Sequence, residues 1–319
     1  MLEPMNGRTM FYGKSDVLTY RTFAKPLVVS SVPESSFAGC DNIIFAHNIT
    51  FAITGEAFLS SFTEGDNSMV VATDSMKNFI LRNTADYTGS TTEGLLQLLS
   101  SRFLDKYSHV TAIAITAARI PFEQVMVPGR GGLEQSQLVL RHSNNESFSA
   151  SLTFQRGENG AEVVSHECCL RDLQFIKVSG SSFYGFIRDE YTTLPESFDR
   201  PLYIFLNIKW TYSDVQDGLD GDARQYVAAE QVRDITQSAF HELSSPSIQS
   251  LIYQIGLRVL IRFPQLATVS FESNNRTWET IVEPEEGKGG VFTEPRPPYG
   301  FQGFSVSRSD LELAEGTAL

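Results

Sequence analysis

The chain has 319 residues, of which 41% are hydrophobic and 20% charged, so it has enough apolar side chains for a large folded core and is not expected to be disordered. Its 25 Lys and Arg residues against 38 Asp and Glu residues give a formal net charge of −13. This acidic balance disfavours partners such as nucleic acid or an anionic membrane, because both require a positively charged surface.

The first half of the chain changes from strand-like to helix-like sequence and back. Residues 10–23 and 42–54 are rich in β-branched and aromatic residues and predict two strands. Residues 70–72 predict the end of a further strand, after which Thr73, Asp74 or Ser75 can cap a helix. Residues 90–93 resemble a capping box that opens a second helix. Further strands are predicted at residues 109–120, 122–127, 137–141 and 148–155, with a turn at the glycines of 129–132.

The second half repeats this order. Strands are predicted at residues 173–178 and 202–212, followed by a helix over about 222–243 and a second helix that begins near Pro246. Strands are predicted again at residues 266–272, 277–282 and 301–307. The Pro- and Gly-rich residues 284–300 predict a loop, and the polar residues after the last strand predict a frayed tail.

Both halves therefore contain strands, two helices and strands. This order predicts an α+β fold in which helices pack on one face of an antiparallel sheet, since a doubly wound parallel sheet requires strict alternation of strand and helix. The predicted division is residues 1–150, residues 151–308 and a polar C-terminal tail at 309–319. The two halves share no residue-level repeat, so the repeat is one of architecture.

The cysteines and apolar segments indicate a cellular compartment. Cys40, Cys168 and Cys169 are too few and too unevenly placed for a disulfide framework, which favours a reduced, intracellular protein. Residues 1–10 lack the apolar segment of a secretory signal, and no apolar run approaches 18 residues. A cytoplasmic location without a membrane span is the expectation.

The common cofactor motifs are not supported. Gly13-Lys14-Ser15 resembles the end of a P-loop, but Arg8 stands where the first glycine is required. No Gly-x-Gly-x-x-Gly follows a strand, and no Gly-x-Ser-x-Gly is present. The one cluster with metal-ligating residue types is the run His166-Glu167-Cys168-Cys169. A loop or strand edge with half-buried thiols explains this run better than a metal site, because a second ligand pair is missing.

Four polar residues stand out in apolar surroundings, although each has an ordinary structural explanation. Lys14 can be a surface lysine whose stem lies on apolar neighbours, and Arg200 can pair with Asp199. Gln249 can be a solvated residue in the first turn of a helix, and Asn275 can be a turn residue. None of them predicts a site when taken alone.

Three stretches together resemble the urate oxidase (uricase) family. They are residues 65–78 (GDNSMVVATDSMKN), residues 183–194 (FYGFIRDEYTTL) continuing to Asp199-Arg200, and Ser247-Ile248-Gln249. Tyr12-Gly13-Lys14 and Pro298-Tyr299-Gly300-Phe301 fit the two ends. The resemblance extends from about Met10 to Arg308.

The resemblance implies a fold and an assembly. The family's tunnelling fold has two modules per chain, here 1–150 and 151–308, each an antiparallel sheet backed by helices. Homotetramers of this fold close their sheets into a barrel around a tunnel, and the active sites lie between subunits. By resemblance, one subunit supplies Lys14, Thr73 and Asp74, and its neighbour supplies residues from the second module. Those residues are Phe183, Arg200, Ile248, Gln249 and Asn275.

The resemblance also implies a reaction, in which urate, dioxygen and water give 5-hydroxyisourate and hydrogen peroxide without a metal or cofactor. The residue types suit a flat purine anion. Arg200 can bind a carbonyl and a ring nitrogen together, Gln249 and the Ile248 N–H offer further hydrogen bonds, and Phe183 offers a flat face. Lys14 with Thr73 is the expected catalytic pair for removing a proton, and Thr73 with Asn275 is expected to hold dioxygen or water.

One position departs from the family pattern. Many members carry a histidine two residues after this asparagine, as the third member of the proton relay, whereas this chain has Thr277. Either Thr277 with a water replaces the histidine, or a residue from elsewhere does. Two other functions therefore stay open: a metal-dependent pterin or purine hydrolase of the same fold, which would need the cluster at 166–169, and an inactive purine-binding homologue.

Overall fold

A computed structural model describes most of the chain, namely residues 8–129, 131–142, 146–158, 160–177, 180–200, 202–219, 224–244, 246–276, 279–282, 291–293 and 298–317. Within these residues the strands are β1 Tyr12–Thr22, β2 Leu27–Val28, β3 Gly39–Cys40, β4 Ile44–Thr54, β5 Ala112–Arg119, β6 Phe122–Gly129, β7 Gly132–His142, β8 Ser147–Gly157, β9 Gly160–Lys177, β10 Leu202–Tyr212, β11 Leu266–Arg276, β12 Glu279–Val282, β13 Val291–Thr293 and β14 Gly300–Ser307. The α-helices are α1 Leu59–Thr63, α2 Thr73–Asp86, α3 Thr92–Lys106, α4 Ala229–Glu242, α5 Ile248–Arg262 and α6 Arg308–Thr317.

The strands build one large sheet and three small ones. The large sheet has the order β1-β4-β5-β8-β9-β10-β11-β14, and its pairs β1–β4, β4–β5, β5–β8 and β11–β14 are antiparallel. The two-stranded sheets are β2–β3, β6–β7 and β12–β13. The chain is therefore an α+β protein with a large antiparallel sheet, as the sequence predicts.

The chain divides into two compact units. The first contains Met1–Ser31, Phe37–Cys169 and Thr211–Val227, and the second contains Val32–Ser36, Leu170–Trp210 and Ala228–Leu319. The boundary predicted between residues 150 and 151 falls within β8, which belongs to the first unit.

Each unit buries one face of its strands. In the first unit, Phe51 of β4 and Phe103 of α3 are fully buried and meet edge to face, with their ring centroids 4.9 Å apart. In the second unit, β10 alternates strictly between buried and half-buried residues, the pattern of a strand that packs on one side only. Helix α5 of this unit contacts β11, β14 and α4.

Three local predictions in the first half are wrong. Residues 70–72 do not end a strand, because the Val71 N–H donates to the Tyr12 hydroxyl at 2.9 Å and the Val70 N–H donates to a turn carbonyl. Thr73 is the first residue of α2, whose N-cap is Ala72. In α3 the cap is Thr91 rather than Ser90, and it accepts the Gly94 N–H at 3.1 Å.

The second half shows similar shifts at element ends. Strand β9 begins at Gly160, well before the predicted start at residue 173. Helix α4 begins at Ala229 rather than near residue 222. Helix α5 begins at Ile248 with Ser247 as its cap, so Pro246 lies outside it.

Most of the tail predicted to be frayed, up to Thr317, forms the helix α6. The Asp310 carboxylate accepts hydrogen bonds from the N–H and the hydroxyl of Ser307 and so caps the helix. The Arg308 guanidinium donates to carbonyls at the C-terminal end of α5, among them the Leu260 carbonyl at 2.8 Å. These distant partners explain why local polarity alone predicts the wrong state.

Two further observations concern the predicted loop and membrane spans. Most of the loop predicted at residues 284–300 lies outside the described residues, and the described part includes the strand β13. Among the helices that the structure describes, none has the length and apolar character needed to cross a bilayer.

Candidate functional site

One cavity of about 230 Å³ lies within the second unit. Its walls come from the segment of residues 181–200, the starts of β10 and α5, and the strands β11 and β14. The lining residues are Ser181, Ser182, Phe183, Leu194, Arg200, Leu202, Ser247, Ile248, Gln249, Asn275 and Gln302. The structure thus brings together all five site residues that the sequence assigned to the second module.

Backbone hydrogen bonds fold the segment of residues 181–200 back on itself. Phe183 and Ser197 exchange two of these bonds, at 2.7 and 2.9 Å, and the Arg200 N–H donates to the Ser181 carbonyl at 2.8 Å. This pairing brings two residues that are far apart in sequence to the same wall: the Arg200 guanidinium carbon lies 5.3 Å from the centre of the Phe183 ring.

Arg200 is a half-buried cation. Burial lowers the pKa of its guanidinium from the ordinary value, although an arginine stays charged at neutral pH. The Asp199 carboxylate, with which Arg200 could pair, accepts the Gly180 N–H at 2.6 Å. A partly desolvated cation at a cavity wall favours an anionic ligand.

Phe183, the aromatic residue of the cavity wall, is one of two stacked phenylalanine rings. The Phe186 ring stacks on Phe183 with a centroid distance of 4.9 Å and an angle of 14° between the planes. Phe186 therefore covers one face of Phe183, and a planar ligand that stacks on Phe183 would share this ring with the Arg200 guanidinium.

The N-terminus of α5 supplies hydrogen-bond donors. Ser247 caps this helix by accepting the Ser250 N–H at 3.1 Å. Ile248 is buried and Gln249 is exposed, and both lie in the first turn, where the backbone N–H groups have no partner within the helix. Such groups and the helix dipole favour an anion at this end of the cavity.

Asn275 reaches the cavity from β11. It lies opposite Gly300 of β14, and a Cβ at Gly300 would come within 3.2 Å of the Asn275 Oδ1. The same Oδ1 accepts a hydrogen bond from the Gln302 Nε2 at 3.1 Å, and the Gln302 Oε1 accepts one from the Ser273 hydroxyl at 2.8 Å.

The other three predicted site residues, Lys14, Thr73 and Asp74, lie together in the first unit. Thr73 and Asp74 open α2, and the Lys77 ammonium lowers the pKa of the Asp74 carboxyl through a hydrogen bond of 2.7 Å. The charge of Lys14 lowers the same pKa further, so Lys14 is near Asp74. The Val71 N–H donates to the Tyr12 hydroxyl, which ties the strand of Lys14 to the segment before Thr73.

A close approach of two strands places Lys14. Strand β1 pairs with β4 so that Lys14 lies opposite Phe51, and a bulge follows between Lys14 and Val17. A Cβ at Gly13 would lie 1.9 Å from the Phe51 carbonyl oxygen, so only glycine fits there. Thr277, where the family pattern has a histidine, lies outside the described residues.

Side chains of the cluster at residues 166–169, the candidate metal site, make hydrogen bonds within the protein. The His166 Nε2 accepts the Tyr212 N–H at 2.8 Å, and the Cys168 thiol donates to the Glu93 Oε1 at 3.2 Å. Burial raises the pKa of Cys168 well above the ordinary value, which keeps the thiol protonated. Among the described residues no group of three or more His, Cys, Asp and Glu side chains is arranged to hold a metal.

No site role was predicted from the sequence for six of the lining residues: Ser181, Ser182, Leu194, Leu202, Ser247 and Gln302. Ser247 had a usable signal, since a serine just before the periodic apolar residues of a helix is a common N-cap. Gln302 had none, because its proximity to Asn275 follows only from the pairing of β11 with β14.

Comparisons with known proteins give a consistent result. A family model described as Uricase matches residues 12–151 and 167–302. The chain is 55% identical to the uric acid degradation bifunctional protein of Bacillus subtilis (strain 168) over 96% of its own length, but it spans only 62% of that relative. It is 50% identical to the uricase of Haloferax volcanii, with 95% of this chain and 99% of the relative covered. A crystal structure of a uricase from Bacillus fastidious matches with a TM-score of 0.94 and 55% identity, covering 97% of this chain and 96% of the other.

Proposed function

The chain belongs to the uricase family, and on that premise we propose that it oxidises urate with dioxygen and water to 5-hydroxyisourate and hydrogen peroxide. The observation that carries this proposal is the cavity, whose walls include Phe183, Arg200, Ile248, Gln249 and Asn275.

In this proposal the purine packs against Phe183 at the cavity wall, beside the Arg200 guanidinium. The Arg200 guanidinium binds a carbonyl and an adjacent ring nitrogen at one edge, and it neutralises the charge of the anion. The Gln249 amide and the Ile248 N–H bind the remaining polar groups of the ring. Charge and directional hydrogen bonds together select an anionic purine over a neutral one.

The oxidation removes two electrons from urate and transfers them to dioxygen, which takes up two protons to become hydrogen peroxide. Water supplies the hydroxyl group that remains on the product. The doubly deprotonated purine is the reductant, so the proposal assigns no metal or cofactor. The protein's own tasks are to remove a proton, to hold dioxygen above the ring, and to admit water afterwards.

The proton acceptor has to come from outside this cavity. Apart from Arg200, the described lining residues are apolar or carry only hydroxyl, amide or backbone groups, so none of them is a general base at neutral pH. We propose that a second copy of the chain brings Lys14, Thr73 and Asp74 to the cavity, with Lys14 acting as base through the Thr73 hydroxyl. Thr73 and Asn275 then flank the dioxygen.

This arrangement requires an oligomer, which we propose is the homotetramer of tunnelling-fold modules that the family resemblance implies. Exposed apolar side chains near the cavity support such an interface: Ile187 is 89% exposed, Tyr191 82% and Phe198 72%. All three belong to the segment of residues 181–200, which also supplies walls of the cavity, and large apolar side chains this exposed are typical of a surface that another chain covers.

The test is turnover of urate by protein treated with a chelator. We expect the urate absorbance to disappear with one dioxygen consumed and one hydrogen peroxide formed per urate. Urate binding without dioxygen uptake would instead identify an inactive purine-binding homologue. Hydrolysis of a purine or pterin that is lost on chelation would identify a metal-dependent hydrolase.

A further inference from the structure

Three polar side chains form a hydrogen-bonded row at the edge of the cavity. The Ser273 hydroxyl donates to the Gln302 Oε1 at 2.8 Å, and the Gln302 Nε2 donates to the Asn275 Oδ1 at 3.1 Å. Gln302 and Asn275 line the cavity, and Ser273 is buried, with only 3% of its surface exposed. The row therefore links a buried hydroxyl to two amides at the cavity wall.

Strand pairing builds this row. Ser273 of β11 lies directly opposite Gln302 of β14, so their side chains are neighbours on one face of the sheet. Asn275 follows Ser273 by two residues and points to the same face. Gly300, opposite Asn275, has no side chain to compete for the Asn275 Oδ1.

The direction of the hydrogen bonds follows from Ser273. In the opposite direction Asn275 would donate to Gln302 and Gln302 to Ser273, and the buried Ser273 hydroxyl would then need another acceptor. Among the described residues, Gln302 is the side chain that accepts from this hydroxyl. Reversal would therefore leave a buried donor unsatisfied, at a cost of about 1–3 kcal/mol.

We propose that Gln302, oriented by Ser273, is a positioning residue that fixes the Asn275 amide with its Nδ2 toward the cavity. This inference rests on the proposed function, in which dioxygen lies beside Asn275 and becomes negatively charged as electrons arrive. A preoriented N–H donor stabilises that charge, whereas an amide that presented its carbonyl oxygen would repel it.

The kinetic arm of the test is a double-mutant cycle between Gln302→Met and Asn275→Ala. Asn275→Ala is expected to lower kcat about 100-fold and Gln302→Met about 10-fold, as expected for loss and misorientation of one charge-stabilising donor. Because Gln302 acts through Asn275, the double variant is expected to match Asn275→Ala alone. The dissociation constant of xanthine, a purine dione used as the binding probe, is expected to change less than about threefold, since the Arg200 contacts are intact.

A matched control comes from β9. The exposed Gln174 accepts a hydrogen bond from the Tyr203 hydroxyl at 2.8 Å and lies outside the cavity, so Gln174→Met is expected to leave kcat unchanged. Multiplied losses in the double variant, or a loss of xanthine binding with unchanged kcat, would overturn the positioning role.

The structural arm is independent of activity. Neutron diffraction from deuterated crystals of the unaltered protein is expected to show deuterium on the Asn275 amide atom that faces the cavity. An oxygen atom there would overturn the inference, whether or not urate is oxidised. Failure of the unaltered protein to oxidise urate would instead contradict the proposed function and leave the amide orientation to be decided by the neutron map.

Discussion

Arg200 is the residue on which the proposed binding of an anion depends most. Its guanidinium is half-buried beside Phe183, and no other cationic side chain is among the described residues that line the cavity. Arg200→Ala is expected to raise the KM for urate about 100-fold, because a partly desolvated anion loses its charged partner. Steady-state kinetics measure this change.

Arg258 provides the control. It lies on α5, the helix that also carries Gln249, and pairs with Glu242 at the surface at 2.8 Å. Arg258→Ala is expected to leave KM within about twofold, since surface pairs contribute little. An unchanged KM in Arg200→Ala would contradict the binding role of Arg200.

Glu93 is a buried carboxyl outside the candidate site. Its two oxygens accept the Cys168 thiol and the Tyr226 hydroxyl, each at 3.2 Å, and burial raises its pKa to about 7 despite these donors. Next to it the His47 Nε2 lies 3.0 Å from the Thr92 Oγ1, and burial together with the charge of Arg119 lowers the pKa of His47 to about 3.

These two shifts act on stability in opposite directions. The raised pKa of Glu93 gives stability that is complete below pH 4.5 and is lost as the pH rises through about 7. The lowered pKa of His47 gives stability that is present above pH 6.5 and is lost as the pH falls toward about 3. Between pH 4.5 and 6.5 the stability contribution of Glu93 falls with rising pH while that of His47 rises, so the two pH dependences partly cancel.

Glu93→Gln removes the pH-dependent contribution of Glu93 to stability and leaves that of His47 in place. Relative to the unaltered protein, the thermal midpoint of this variant is expected to rise as the pH increases from 4.5 to 7, by an amount equivalent to about 3 kcal/mol. Thermal unfolding over this pH range measures the difference, with the exposed Glu64→Gln as the control. A difference that does not vary with pH would show that Glu93 does not titrate as described.

At the scale of elements, the pairing of β1 with β4 positions Lys14. A Cβ at Gly13 would meet the Phe51 carbonyl oxygen at 1.9 Å, so the strands must separate or shift in Gly13→Ala. The variant is expected to lose about 1–3 kcal/mol of stability and to lose turnover as well, because Lys14 is the next residue. Thermal unfolding and urate turnover test the two effects.

Gly131→Ala is the matched control for this substitution. A Cβ at Gly131 meets no atom within 4 Å, so its stability and turnover are expected to stay unchanged. Gly13→Ala with unaltered turnover would show that Lys14 does not depend on this strand pairing.

Strands were more predictable than helix ends. The strand predicted at residues 202–212 is β10, because its β-branched and aromatic residues favour a strand and its every second residue is apolar and buried on one face. The ends of α3 and α6 depend on tertiary partners instead. Glu93 lies in the interior rather than completing a capping box, and Arg308 holds α6 against carbonyls of α5. Local sequence does not contain those partners.

At the scale of the whole molecule, the resemblance to the family led to five residues that the fold brings to one cavity. These residues lie on three segments, namely residues 181–200, the start of α5 and the strand β11. No periodicity or spacing in the sequence would have grouped them. Ser273 and Gln302 were missed because only the register of β11 against β14 makes them neighbours of Asn275. Polar networks of this kind depend on strand pairing, which composition does not specify.

The central claim concerns a site shared between two copies of the chain, one supplying Lys14 and the other the cavity of Arg200. The most direct measurement is complementation between Lys14→Met and Arg200→Ala chains that carry different affinity tags and are purified through both tags. Each variant alone is expected to be almost inactive on urate. If the copies associate at random, about one site in four combines an intact Lys14 with an intact Arg200 and should recover turnover. Mixed oligomers with no more activity than the separate variants would contradict the shared site.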